Sequence, residues 1–226
     1  VNDDAHPNDD DGHGTHVAGT IAQRTNNHSG VAGVAFNTSI MPVKVLDAEG
    51  YGTYADIAEG IYFAADNGAA VINLSLGGTS HSVTLQDALA YAHGKDIMII
   101  CAAGNEYQEG NPVSYPAAYD DYCIAVGATR YDESRSYYSN TGSYLDIAAP
   151  GGDLTVDQNY DGMQDGILQQ TFINFPDEFD YYFFEGTSMA APHVAGVAAL
   201  LVSAGVSGVV KIRAALEQTA EDKGPA

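Results

Sequence analysis

The chain has 226 residues, 45% of them hydrophobic, which suits a single α/β domain with a full core. Thirty acidic residues against eight basic ones give a formal net charge of −22, and so acidic a chain has little with which to neutralise a row of phosphates, which argues against a nucleic-acid partner. No run of 18 apolar residues is present, which argues against a membrane-spanning helix.

In chain order, residues 1–12 are rich in Asp, Asn and Pro and read as a loop, and a helix is predicted over 15–24. His13 stands between two glycines at that junction, a place for a general base if a carboxylate fixes its tautomer. Asp3, Asp4, Asp9, Asp10 and Asp11 precede it and are the obvious candidates. A β-branched run over 39–46 reads as a strand, followed by a helix over 53–68, in which Ile57, Ala58, Ile61, Tyr62 and Ala65 recur at helical spacing before Gly68. Apolar runs over 69–76, 96–103, 123–128 and 144–150 read as further strands, with a helix over 84–96. Residues 151–181 match neither pattern and read as an acidic insertion loop; helices over 187–205 and 209–220 follow.

This alternation predicts a three-layer α/β architecture, a mainly parallel sheet with helices on both faces, forming one domain over 1–226. Cys101 and Cys123 both fall in apolar runs; they could pair if those strands are neighbours, and two buried thiols fit at least as well.

Active groups in a parallel sheet gather beyond the carboxyl ends of the strands, where "SLGG" (75–78), "AAGNE" (102–106) and "APGG" (149–152) stand. Ser188 in "EGTSMAAPHVAG" opens the longest helix, where backbone N–H groups favour a developing oxyanion. Singly, each motif has a plainer reading, a helix cap for the Ser and a turn for the Asn. His16 would need a third ligand and a base to make a zinc site with His13, and neither is near, so it reads as structural. His193 lies about 140° around the helix from Ser188 and reads as a packing residue.

Together and in this order, "GHGTHVAGT", "AAGNE" and "GTSMAAPHVAG" resemble the subtilisin family of serine endopeptidases, with a match running from Asp11 to the last residue. The resemblance implies a subtilisin-like fold and hydrolysis of peptide bonds, with Ser188 as nucleophile, His13 as general base, and Asn105 as oxyanion donor beside the Ser188 N–H. "SLGG" and "EGYG" resemble the segments between which the family holds a peptide as an added strand, along Gly50, Gly52, Ser75, Leu76 and Gly77. By the same comparison a side-chain pocket is walled by 75–77 and by Ala102, Ala103 and Gly104, with Glu106 at its rim and Tyr54 bordering a second pocket. A secreted, monomeric enzyme acting on proteins or peptides is the implied setting.

Structural calcium is implied as well. "RTNNHSGV" resembles the family's calcium loop, with Asn27 offering a side-chain oxygen and Arg24, Ser29 and Val31 backbone carbonyls, and the acidic lead resembles a second site with Asp4 and Asn8. A third candidate places Asp157, Asn159, Asp161 and Asp165 around Gly162 like the start of an EF-hand loop, with Leu168 where a bidentate Glu is expected; a solvated acidic turn is the alternative.

In the family the triad Asp ends a strand well upstream of the His. Asp9, Asp10 and Asp11 follow no strand and stand too close to His13, so the orienting carboxylate is expected outside this sequence, which reads as partial at both ends. The competing expectation is a non-catalytic calcium-binding or adhesive domain that keeps the protease fold.

Overall fold

The computed structural model describes residues 6–174, 176 and 178–223, so Asp4 lies outside the described residues. Four apolar runs form strands β1 (Val71–Leu74), β2 (Met98–Ala102), β3 (Ile124–Thr129) and β4 (Ile147–Pro150), hydrogen-bonded in parallel in that order. Their alternate residues feed two cores. Ile72, Leu74, Ile99 and Cys101 face α2 (Tyr54–Asp66) and α3 (Val83–Gly94), while Met98, Ile100, Ile124 and Val126 face α4 (Thr187–Ser203) and α5 (Val209–Thr219). The result is the expected three-layer α/β fold, with α1 (His13–Ala22) packed against α4. Leu85, Leu89, Ile99, Ile100 and Ile124 are wholly buried, each worth about 1.5–3 kcal/mol.

Cys101 on β2 and Cys123 at the foot of the neighbouring β3 are both free and buried, and the Cys123 Sγ donates to the Pro116 carbonyl at 3.4 Å.

Two expectations are corrected. Residues 39–46 join no ladder among the described residues. Val45 and Leu46 are instead used by packing on the α2 side of the core, and Lys44 forms an ion pair with Asp10. A β-branched run marks extended backbone, whereas ladder membership also needs a hydrogen-bonding neighbour. The insertion, in turn, is not wholly irregular: β5 (Ile167–Thr171) lies within it and pairs antiparallel with β6 (Asp180–Phe184), which begins at its end. Buried Gln169 and Thr171 interrupt the apolar alternation by which a half-buried strand is recognised.

Candidate active site

The first turn of α1 carries His13, and of the acidic residues before it Asp9, Asp10 and Asp11 have other partners. Gly12, the residue at the helix cap, sits at φ 97°, and a β-carbon there would come within 2.3 Å of the Phe172 carbonyl oxygen, so only glycine fits. Having no side chain, it cannot cap the helix, and Asp9 does so from three residues upstream. Its Oδ1 accepts from the amides of Asp11 and Gly12, and its Oδ2 from the amide and hydroxyl of Thr15 at 2.7 and 2.6 Å. Burial raises the Asp9 pKa, but the hydrogen bonds from Thr15, Gly12 and Asp11 outweigh it and hold the carboxyl below its ordinary value. Asp11 accepts from the backbone of His13, not from its ring. Among the described residues no carboxylate hydrogen-bonds the His13 imidazole. Burial pushes the His13 pKa down and the charges of Asp11 and Asp9 only partly restore it, so the ring favours the neutral, basic form.

One turn on, His16 is completely buried. Its Nε2 donates to the carbonyls of Ile167 (2.9 Å) and Tyr182 (3.3 Å), one on each strand of the β5–β6 hairpin, and its ring stacks on Phe184 with centroids 4.5 Å apart. Burial lowers its pKa from 6.5 to about 4. This is a structural imidazole, as is His193, whose Nδ1 donates to the Met189 carbonyl at 2.8 Å.

Ser188 stands in the first turn of α4, whose N-cap residue, Gly186, has no side chain with which to cap it. Its hydroxyl donates to the Ser75 carbonyl at 3.4 Å; no hydrogen bond joins it to His13 among the described residues. The backbone carbonyl of Ser188 should accept from residue 192, but Pro192 has no N–H. The Ser75 hydroxyl takes that place at 2.8 Å, so a helix defect is satisfied by the segment just beyond β1.

Asn105 follows β2, and its Oδ1 accepts from both the amide and the hydroxyl of Thr187, at 2.8 and 2.9 Å. Thr187 in turn accepts from the Gly104 amide at 3.1 Å. With its carbonyl so held, Asn105 presents its Nδ2 elsewhere. Gly186, at φ 145°, shows where: a β-carbon on it would lie 3.4 Å from Asn105 Nδ2 and 3.7 Å from the Ser188 amide nitrogen. Two N–H donors thus flank one point, kept open by a residue without a side chain. The Gly186 amide is fixed from behind by the Tyr138 hydroxyl at 2.8 Å. Neither Thr187 nor Tyr138 was singled out from the sequence, since both act through contacts tens of residues away.

The segments expected to hold a peptide are brought together. Tyr54, the first residue of α2, donates from its hydroxyl to Ser80 at 2.7 Å, linking the 50–54 and 75–80 segments. Gly50 and Gly52 are exposed, as is Gly77 beside half-buried Ser75 and Leu76. Gly78 pairs with Tyr115 through two backbone bonds of 2.8 Å. Ala102 and Ala103 are buried, and the Ala103 amide donates to Val126, so of that wall Gly104 is the part with partial exposure. Glu106 accepts from the Asn105 amide and from Asn140.

Most of the expected calcium ligands that are described are hydrogen-bonded within their own loops. Asp157 accepts from the amides of Asp161 and Gly162, Asn159 and Asp161 accept from loop amides, Asp165 accepts from Gln158, and Asn27 accepts from Ser29, while Asn8 is exposed. Among the described residues no three acidic or imidazole groups are arranged to hold a metal. As folded here, these carboxylates serve the loop's own backbone.

Comparison with known proteins gives one consistent result. The subtilase family model matches residues 1–226. The chain is similar to a thermophilic serine proteinase from Bacillus sp. strain AK1, 44% identical over 224 residues, covering 98% of this chain and 50% of that protein. It is equally similar to thermitase from Thermoactinomyces vulgaris, 44% identical over 222 residues, covering 98% of this chain and 71% of that one. A solved protease structure from Pseudoalteromonas arctica superposes with a TM-score of 0.81 at 39% identity, covering 93% of this chain and 64% of its own. The chain spans half the length of the first of these relatives.

Proposed function

The chain belongs to the subtilase family, and from that premise we propose that the protein is a serine endopeptidase in which Ser188, His13 and Asn105 carry the chemistry. The Ser188 hydroxyl attacks the scissile carbonyl carbon while His13 takes its proton, and the oxyanion forms between Asn105 Nδ2 and the Ser188 amide. His13 then protonates the departing amine, and the same ring activates the water that releases the acyl group. The observation that carries this reading is the point beside Gly186, 3.4 Å from one donor and 3.7 Å from the other, next to the nucleophile. A neutral His13, favoured by its burial, is the form a base requires.

The substrate is a protein or peptide bound as an added strand between the 50–54 and 75–78 segments, by main-chain hydrogen bonds that tolerate many sequences. Extracellular action is proposed on the family resemblance. We also propose calcium as a structural ligand of the loop over 157–165, which would have to exchange backbone amides for the cation.

Labelling tests the reading. A fluorophosphonate should modify the full-length protein at Ser188, and Ser188→Ala and His13→Ala should abolish cleavage of peptide amides. A full-length protein that resists the reagent and cleaves nothing is the result expected of a non-catalytic domain.

A further inference from the structure

A cavity of about 290 Å³ opens against the oxyanion point, lined by Asn105, Gln108, Glu109, Tyr137, Tyr138, Glu185 and Gly186. We propose that it receives a basic side chain, arginine above lysine, from the leaving-group side of the substrate, with Glu185 as the residue that sets this specificity. The proposal rests on the peptidase reading and names a substrate class within it.

Its place follows from its walls. Asn105 and Gly186 belong both to the cavity and to the oxyanion point, so the cavity adjoins the place where the scissile bond would lie. None of residues 75–77 or 102–104, along which the acyl half is expected to lie, lines it. What enters is therefore the chain on the other side of the bond, the part that leaves as the amine.

The chemistry follows from the charges. The wall holds two carboxylates and no Lys or Arg. Glu185 is half-buried and held at both oxygens by neutral donors, Oε1 by the Tyr137 hydroxyl at 2.9 Å and Oε2 by the Leu154 amide at 2.6 Å. It is thus aligned without a counter-ion among the described residues, and each oxygen keeps a lone pair for a fork-shaped donor. Arg135 does not supply the missing charge: its guanidinium donates to the Ser136 and Ser139 carbonyls and lies 3.7 Å from the Tyr107 ring centroid. Glu106 differs in being engaged by Asn105 and Asn140 and absent from the wall. Tyr137 and Tyr138, packed edge to face at 5.1 Å, give an aromatic lining for the aliphatic stem and for a cation–π contact. Arginine is preferred because its planar fork can use both oxygens of one carboxylate. An acidic side chain meets like charge.

The test uses the full-length protein and internally quenched peptides with a constant acyl half, carrying Arg, Lys, Gln or Glu at the first or the second residue after the scissile bond. At one of these positions kcat/KM for Arg should exceed that for Gln by about tenfold or more, with Lys between and Glu below Gln. Glu185→Gln should bring the Arg-to-Gln ratio to within about twofold, and Glu109→Gln should lower it less. In the unaltered protein the same ratio should fall with added NaCl, a readout that needs no variant. Equal cleavage of all four peptides at both positions overturns the pocket and leaves the peptidase reading intact, as does an Arg preference that survives Glu185→Gln and salt. Failure of both fluorophosphonate labelling and cleavage overturns the peptidase reading and the pocket together.

Discussion

Thr187 holds Asn105 by both of its own donors: amide and hydroxyl converge on the Asn105 Oδ1 at 2.8 and 2.9 Å. An amide side chain with its carbonyl so pinned cannot turn that oxygen toward a developing negative charge. In the proposed mechanism Thr187 is a positioning residue, acting on the oxyanion through Asn105.

Thr187→Val keeps the shape and removes the hydroxyl. It should lower kcat by about 10- to 100-fold, less than the 10²- to 10³-fold typical of deleting an oxyanion donor, with KM little changed. Thr187→Ser should recover most of the loss. Steady-state kinetics of the full-length protein decide; a change confined to KM would count against a positioning role.

The bond from Ser75 to the Ser188 carbonyl exists because Pro192 cannot make it. Ser75→Ala should cost about 1–3 kcal/mol in urea unfolding by leaving that carbonyl without a partner. Pro192→Ala restores an N–H in the helix, so in that background the cost of Ser75→Ala should shrink by at least about 0.5 kcal/mol. Additive effects would show that the two residues do not share the acceptor.

His16 gives stability a defined pH window. Its folded pKa, about 4, is below the ordinary 6.5, so the unfolded chain binds the extra proton between these values. Its contribution is then complete above pH 6.5 and is lost as pH falls toward 4, by about 3 kcal/mol at the lower end. The charges of His13 and His193 act in the same direction. Urea midpoints measured from pH 7 to 4 should fall, and His16→Gln should flatten that fall.

Calcium should raise the melting temperature of the full-length protein relative to EGTA. A ligand bound only to the native state at 100 times its Kd contributes about 2.7 kcal/mol. Superimposable melts would end the calcium proposal, and a calcium response unaltered by Asp161→Ala would remove the 157–165 loop from it.

The unsupported His13 ring bears on the 226-residue chain taken alone. In subtilisin, a member of the same family, loss of the triad Asp costs about 3 × 10⁴ in kcat, against about 2 × 10⁶ for loss of Ser or His. The isolated chain should therefore cleave peptide amides at least about 10⁴-fold more slowly than the full-length protein. Comparable rates would mean that Asp9 or Asp11 serves His13 after rearrangement.

The residues proposed to bear the chemistry stand out in "GHGTH", "AAGNE" and "GTS" because acyl transfer needs particular side chains in a particular order. The buried strands were legible as apolar runs. What escaped depends on distant contacts: Thr187 is an ordinary first-turn residue until Asn105, 82 residues earlier, accepts its hydrogen bonds. The β5–β6 hairpin escaped because its buried Gln169 and Thr171 are polar, facing α1 instead of an apolar core. Asp9 looked like a candidate partner for a catalytic ring and is a helix cap, a distinction set by where its two oxygens point.

The hairpin has a mechanical consequence. His16 grips both of its strands, and after β6 ends at Phe184 the chain reaches Ser188 through only Glu185, Gly186 and Thr187. The hairpin is thus a strut between the helix that carries His13 and the helix that carries Ser188. Among the described residues its strands pair only with each other, apart from the four-stranded sheet, so it can fray while that sheet stays whole. Heat that loosens it should disturb how Ser188 is placed relative to His13 before the core melts, so inactivation should precede unfolding.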